Sequence, residues 1–295
     1  MRKYTLLLLL FLSFTTVAAK QPTPANAFFA DVPEELYFAG ERVPLEYPDV
    51  REALQREISV TMYMHSSTLR TLRSSKRYFA IIEPILKGAA VPEDFKYLAM
   101  AECGMNPEAV SVVGASGVWQ FMPKTAADYG LETGKNTDLR FDIELSTSAA
   151  AKYIKNSYKT FGNWTMTAAS YNLGVGGVSS RAKEQGVSSY YDLYMPQETM
   201  RYVYRILALK IVSENPAKYG FILSEDDYQK PFENFKVVSI KEQNIKWSEV
   251  AKRYGTNYKI LRLLNPWIRS YEYDNKGETE YRVKVPTENF RTKGY

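Results

Sequence analysis

The residues that build most small catalytic and metal centres are almost missing. In 295 residues there is one cysteine, Cys103, and one histidine, His65. A single cysteine forms no intramolecular disulfide, so the fold must rest on its own core. One Cys and one His do not assemble an ordinary zinc site, and neither a metal nor a cofactor is expected. Cys103 lacks a partner histidine for nucleophilic work, and His65 reads as a surface or packing residue. Long apolar runs are missing too. After the N-terminus no stretch approaches the about 18–20 residues of a membrane helix. The apolar stretch from Leu6 to Leu12, continuing to Ala19 behind Arg2 and Lys3, is too short to span. Val17-Ala18-Ala19 offers small residues to a signal peptidase, and Ala25-Asn26-Ala27 a second site. A cleaved export signal over residues 1–19 is the expectation. No cysteine lies near either site, so a lipoprotein is not expected.

Charge of one sign is scarce over most of the chain. Residues 1–230 hold 25 Lys/Arg against 25 Asp/Glu, whereas residues 231–295 hold 13 against 8 and supply the whole +5. The excess is small, unclustered and exported, which argues against nucleic acid and for a second module meeting an anionic polymer. Aromatics are plentiful, with 23 Tyr, which suits carbohydrate recognition as well as packing.

Residues 20–47 are Pro-rich without a sustained period and read as an extended lead-in. Asp49 is placed to cap a helix through Ile58, and Ser66 or Ser67 a longer one through Leu86, with Pro84 implying a kink or earlier break. Pro92, Glu93 and Asp94 then start a short helix whose Phe95, Leu98, Ala99 and Glu102 share a face, with Gly104 beyond its end. Further helices fit residues 123–129, 146–161, 164–172 and 196–213. From residue 231 the pattern changes. Residues 235–240 alternate as a strand, 247–254 and 257–264 read as two short helices, and 281–286 as a second strand. The expected divisions are 1–19, 20–75, 76–230 and 231–295.

Glu102 is the residue that calls for explanation. It lies in the last turn of its helix on the side facing the core, among small and apolar neighbours. Both the negative end of the helix and the loss of water disfavour its charge, so its pKa is expected to rise. A carboxyl that keeps its proton near neutral pH can act as an acid.

Around Glu102 run Cys103-Gly104, Asn106-Pro107, Ala109-Val110-Ser111, Gly114-Ala115-Ser116-Gly117 and Gln120-Phe121-Met122-Pro123. Ala169-Ser170-Tyr171-Asn172-Leu173-Gly174 and Glu198-Thr199-x-x-Tyr202-Val203 follow in order. These motifs resemble the catalytic domain of the soluble lytic transglycosylase family. Phe38-Ala39-Gly40-Glu41 and Tyr97-Leu98 resemble its membrane-bound lytic transglycosylase D branch, and residues 233–286 resemble a LysM module.

The resemblance implies a mainly α, lysozyme-like helical domain with a small C-terminal βααβ domain. It implies cleavage of the MurNAc–GlcNAc bond of peptidoglycan without water, leaving 1,6-anhydro ends. Glu102 would be acid and then base. Ser111, Gln120, Met122, Tyr171, Asn172 and Glu198 would face substrate, with Tyr171 holding Glu102 or the N-acetyl region by its hydroxyl. The implied partner is the peptidoglycan glycan strand, and the implied place the periplasm or cell envelope, with possible peripheral association.

Cys103 replaces the usual Ser or Thr, Trp119 a common Met and Ser170 an Ala, and the C-terminal unit lacks the usual Gly-Asp-Thr-Leu turn. Two other readings stay open: a hydrolytic muramidase resembling goose-type lysozyme, with Asp138 or Asp142 brought near, and a wall-binding protein that no longer cuts. The tail, residues 233–286, is expected to hold the protein on glycan. Trp247, Trp267 and Tyr258 are available to stack on sugars, or in the tryptophans' case to form the module's core.

Overall fold

The computed structural model describes residues 30–277 and 279–293. The expected export signal, residues 1–19, lies outside the described residues. From residue 30 the lead-in is not merely extended: β1 (Tyr37–Phe38) and β2 (Glu41–Arg42) pair as a short antiparallel hairpin. The reason is packing. Phe38 is wholly buried, and the Glu41 carboxylate accepts hydrogen bonds from the Trp164 (2.5 Å) and Thr165 (2.9 Å) amides.

Helix α1 (Pro48–Tyr63) starts on its proline, so Asp49 supplies first-turn charge rather than the expected cap. Helix α2 (His65–Gly88) has no side-chain cap from Ser66 or Ser67 and passes through Pro84 without the expected break. Pro84 sits near the C-terminal end, where it removes one bond, and the flanking Ile82 and Leu86 are fully buried and hold the turn. This helix continues through residues 75 and 76. Helix α3 (Phe95–Cys103) ends on Gly104, whose φ of 56° gives the left-handed cap that glycine adopts most readily.

Helices α4 (Pro123–Asp128), α5 (Ile143–Phe161), α6 (Trp164–Leu173), α7 (Val175–Gln185) and α8 (Gln197–Glu214) complete the body. Its core is continuous from Ala30 to Phe221, with Leu54, Leu98, Trp119 and Leu207 at its centre. Across it α1 and α3 pack on α8, and α2 packs on α5. The buried Glu57 of α1 pairs with Arg201 of α8 at 2.7 Å.

The C-terminal unit pairs β3 (Phe235–Ile240) with the last strand along its whole length. Between them lie β4 (Asn244–Lys246), α9 (Trp247–Arg253), α10 (Tyr258–Leu264) and β5 (Glu272–Asp274), before β6 (Tyr281–Pro286) closes the pair. Strand β5 runs antiparallel to β4. Trp247 and Trp267 are 0% and 2% exposed and meet edge to face at 5.6 Å, so they are core and not sugar-stacking platforms. The fold is therefore mainly α with a small mixed C-terminal domain.

That domain is docked. Phe141 of the helical body is buried in the module's own core. The Asp138 amide donates to the Trp267 carbonyl at 3.0 Å, and the Arg269 amide to the Asn136 carbonyl at 2.8 Å. A cavity of about 570 Å³ lies along this seam, lined by Tyr78, Pro107, Phe232, Tyr258, Leu264 and Trp267 among others, and Glu102 is not on its wall.

Candidate active site

Glu102 closes α3 just before the left-handed Gly104. Its side chain is half-buried and keeps an opening to solvent. Loss of water on burial pushes its pKa up to about 7. Opposing this, the Tyr202 hydroxyl of α8 donates to Glu102 Oε1 and Arg205 attracts the charged form, while Glu198 repels it. Tyr202 is 2% exposed, so its phenol is fixed by packing and aimed at one carboxyl oxygen. Glu198, Tyr202 and Arg205 are spaced i, i+4 and i+7, which puts them along one face of α8. Arg205 Nη1 donates to Glu198 Oε1 at 3.1 Å.

The loop at residues 106–122 forms the neighbouring wall. Three backbone hydrogen bonds fold it on itself: Gly117 N donates to Ala109 O (2.9 Å), Ser111 N to Ala115 O (2.8 Å) and Ser116 N to Phe121 O (3.1 Å). Ser111 Oγ accepts from the Ala115 amide at 3.0 Å, which makes it a turn cap while using only an acceptor lone pair. Gln120 sits at φ 48°, a strained position for a side chain, and donates its amide to the carbonyls of Gly117 (2.8 Å) and Ala109 (3.3 Å). Gly117 has φ 78°, and a Cβ there would lie 1.9 Å from the Arg140 carbonyl. The buried Arg140 grips the loop from below, donating to Gly114 O (2.7 Å) and Phe121 O (2.9 Å) while pairing with Asp138 (2.7 Å).

Tyr171 of α6 does not hydrogen-bond Glu102 as expected. Its hydroxyl donates to the Trp119 carbonyl at 2.8 Å, so it braces the loop, and burial first and the Glu102 charge second disfavour its ionisation. The group that holds Glu102 is Tyr202. Its signal was present in the Glu198-Thr199-x-x-Tyr202-Val203 motif, but no sequence feature says which of two tyrosines points inward. Met122 is 42% exposed, and Asn172, also exposed, accepts from Thr199 Oγ1 at 2.7 Å. Cys103 donates to the Ala99 carbonyl, and burial pushes its thiol up to about 12, so thiolate chemistry is out of reach near neutral pH.

Among the acids, Glu198 acts on Glu102 through its charge and is itself paired with Arg205, and three others are engaged elsewhere. Asp138 is tied to Arg140, Asp142 caps α5 by accepting from the Leu145 amide (2.9 Å), and Glu108 pairs with Arg262 (2.8 Å) and Arg269 (3.4 Å) of the C-terminal domain. Glu102 is thus hydrogen-bonded by a tyrosine, and Glu198, the acid whose charge acts on it, is tied to an arginine.

Residues 79–193 match the family described as the transglycosylase SLT domain. Residues 236–289 match the soluble lytic transglycosylase C-terminal LysM-like domain. The SLT match takes in Glu102, the loop and Tyr171, and ends before α8, which brings Tyr202. Membrane-bound lytic murein transglycosylase D of Escherichia coli is 30% identical over 240 residues, 79% of this chain and 51% of that protein. Soluble lytic murein transglycosylase of Escherichia coli is 27% identical over 141 residues, 44% of this chain and 22% of that protein. This chain therefore spans about half the length, or less, of these relatives. A lytic transglycosylase from Pseudomonas aeruginosa, solved as an inactive mutant, superposes with a TM-score of 0.43 at 20% identity, covering 67% of this chain and 34% of that one.

Proposed function

We propose that this protein is an exported peptidoglycan lytic transglycosylase that cleaves the MurNAc–GlcNAc β-1,4 bond. One observation carries the reading. A carboxyl with its pKa near 7 is held by a phenol, Glu198 beside it is paired with Arg205, and Asp138 and Asp142 are committed to an ion pair and a helix cap. Such a group is protonated often enough at neutral pH to act as an acid, and charged readily enough to act next as a base.

The sequence of events needs no second carboxylate. Protonated Glu102 gives its proton to the bridging oxygen as the C1–O bond breaks, and the sugar's own N-acetyl group steadies the positive charge at C1. The sugar's 6-hydroxyl then bonds to C1 and returns its proton to the Glu102 carboxylate. A 1,6-anhydro ring results, water is not consumed, and the acid is regenerated. Tyr202 orients the carboxyl throughout. Ser111, Gln120 and Tyr171 shape the wall beside the sugar, while Met122, Asn172 and Glu198 offer exposed contacts on its rim. Residues 76–230 would form the catalytic unit and residues 231–295 a module that meets glycan, now through the ring pair Tyr258–Tyr271, 4.9 Å apart, rather than through tryptophan.

A hydrolytic muramidase needs a second acid to activate water. Asp138 and Asp142 were the candidates, and their structural roles count against it. Mass spectrometry of muropeptides released from purified sacculi decides between them. Anhydro ends, lighter by one water than reducing ends, are expected, and predominantly reducing ends would overturn the transglycosylase reading.

A further inference from the structure

We propose that Glu108 is a positioning residue for the cleavage site, and that the C-terminal domain sets the shape of the catalytic loop through it. The inference rests on the transglycosylase reading for its activity readout only. Glu108 stands where the chain leaves α3 and enters the loop. Its carboxylate is held by two guanidinium groups from the other domain, Arg262 of α10 at 2.8 Å and Arg269 at 3.4 Å. The next residue, Ala109, is the loop's main acceptor: its carbonyl takes the Gly117 amide and the Gln120 side chain. A tug on Glu108 therefore passes through one peptide unit to Gln120, and from the adjacent Trp119 carbonyl to Tyr171.

The same domain grips the loop's second support. Asp138, which orients Arg140 beneath Gly114 and Phe121, gives its amide to Trp267, and Asn136 gives its carbonyl to Arg269. Arg269 also lies over the Phe141 ring at 4.1 Å. Both ends of the loop's scaffold are thus fastened to one small domain. None of these module residues touches Glu102, so the effect is on geometry and not on proton transfer itself.

The test is a charge swap in the full-length chain. Glu108→Arg should raise amide hydrogen exchange over residues 109–121 and lower kcat on a short soluble glycan by about fivefold, the upper range for a partly exposed ion pair. KM and the mass of the released ends should change little. Combining it with Arg262→Glu and Arg269→Glu should restore both exchange protection and kcat. If Glu108→Arg matches wild type in exchange and kcat, or if the swap restores neither, the proposal is overturned. Should the reversal lower the melting temperature, Glu108→Gln provides the comparison, and wild-type exchange and kcat in that variant overturn the proposal equally. Reducing ends from the wild-type protein would sink the transglycosylase reading while leaving the exchange result to judge the loop coupling alone.

Discussion

In the proposed reaction Glu102 must be protonated to give up a proton and charged to take one back, and its surroundings make both forms accessible. The sign of its linkage to stability follows from one shift. The unfolded carboxyl titrates near 4.5 and the folded one near 7. Below about 4.5 both states are protonated, and the site costs the fold nothing. Between these values the folded state holds the extra proton, so stability falls as pH rises from about 4.5, and the loss is complete once pH has passed 7 and both states are charged. Glu102→Gln removes that charge. It should melt several degrees above wild type at pH 8, with a gain of at most about 3–4 kcal/mol that vanishes near pH 4.5. The same variant should solubilise sacculi at least about 100-fold more slowly. A wild-type rate would refute the assignment of Glu102. Tyr202→Phe deletes a donor that favours the charged form, so the Glu102 pKa should rise further. The alkaline fall in kcat/KM should then move to higher pH, and an unmoved limb would show that the phenol does not tune the acid.

At the scale of elements, the loop at residues 106–122 matters more than any helix, because Gly117 lets it lie directly on the Arg140 backbone. Gly117→Ala combines a φ of 78° with a contact of 1.9 Å to a carbonyl that cannot swing away. It should cost more than about 2 kcal/mol in urea unfolding. A variant within a few tenths of wild type would mean that the loop can lift freely off Arg140. Elements with a strong local signal were legible in the sequence: α3 with its glycine cap, α5, α6, α8 and the strands β3 and β6. Helix α7 was not, because Gly176, Gly177, Ser179 and Ser180 have poor helical propensity. Tertiary contact decides there: Val178 is fully buried, and Gly177 lies so close to the Leu173 side chain that a Cβ would sit 2.9 Å from it. Of the kink or earlier break expected at Pro84, the break does not occur, since burial on both sides outweighs one missing hydrogen bond. Within the site, Glu102 was legible from its place on an apolar helical face. The exchange of roles between Tyr171 and Tyr202 was not, since both are motif tyrosines whose phenols lie close to Glu102.

For the whole molecule, the positive surplus of residues 231–295 has a use that composition does not disclose. Arg262 and Arg269 hold Glu108, and Lys284 holds Glu144 at 2.7 Å, all across the seam to the helical body. Charges read as bait for an anionic polymer thus serve partly as fasteners. Each such pair is partly exposed and worth little alone. The buried Phe141, the two backbone hydrogen bonds to Trp267 and Asn136, and the pairs together make a seam that domains on a loose tether lack. Differential scanning calorimetry of residues 30–295 should therefore give one cooperative transition. A chain ended at residue 230 should melt at lower temperature and turn over a short soluble glycan more slowly, because Phe141 is then uncovered and Glu108 and Glu144 lose their partners. Two well-separated transitions, or a truncated chain with the melting temperature and turnover of the helical body unchanged, would make the C-terminal domain a tether and not part of the catalytic frame.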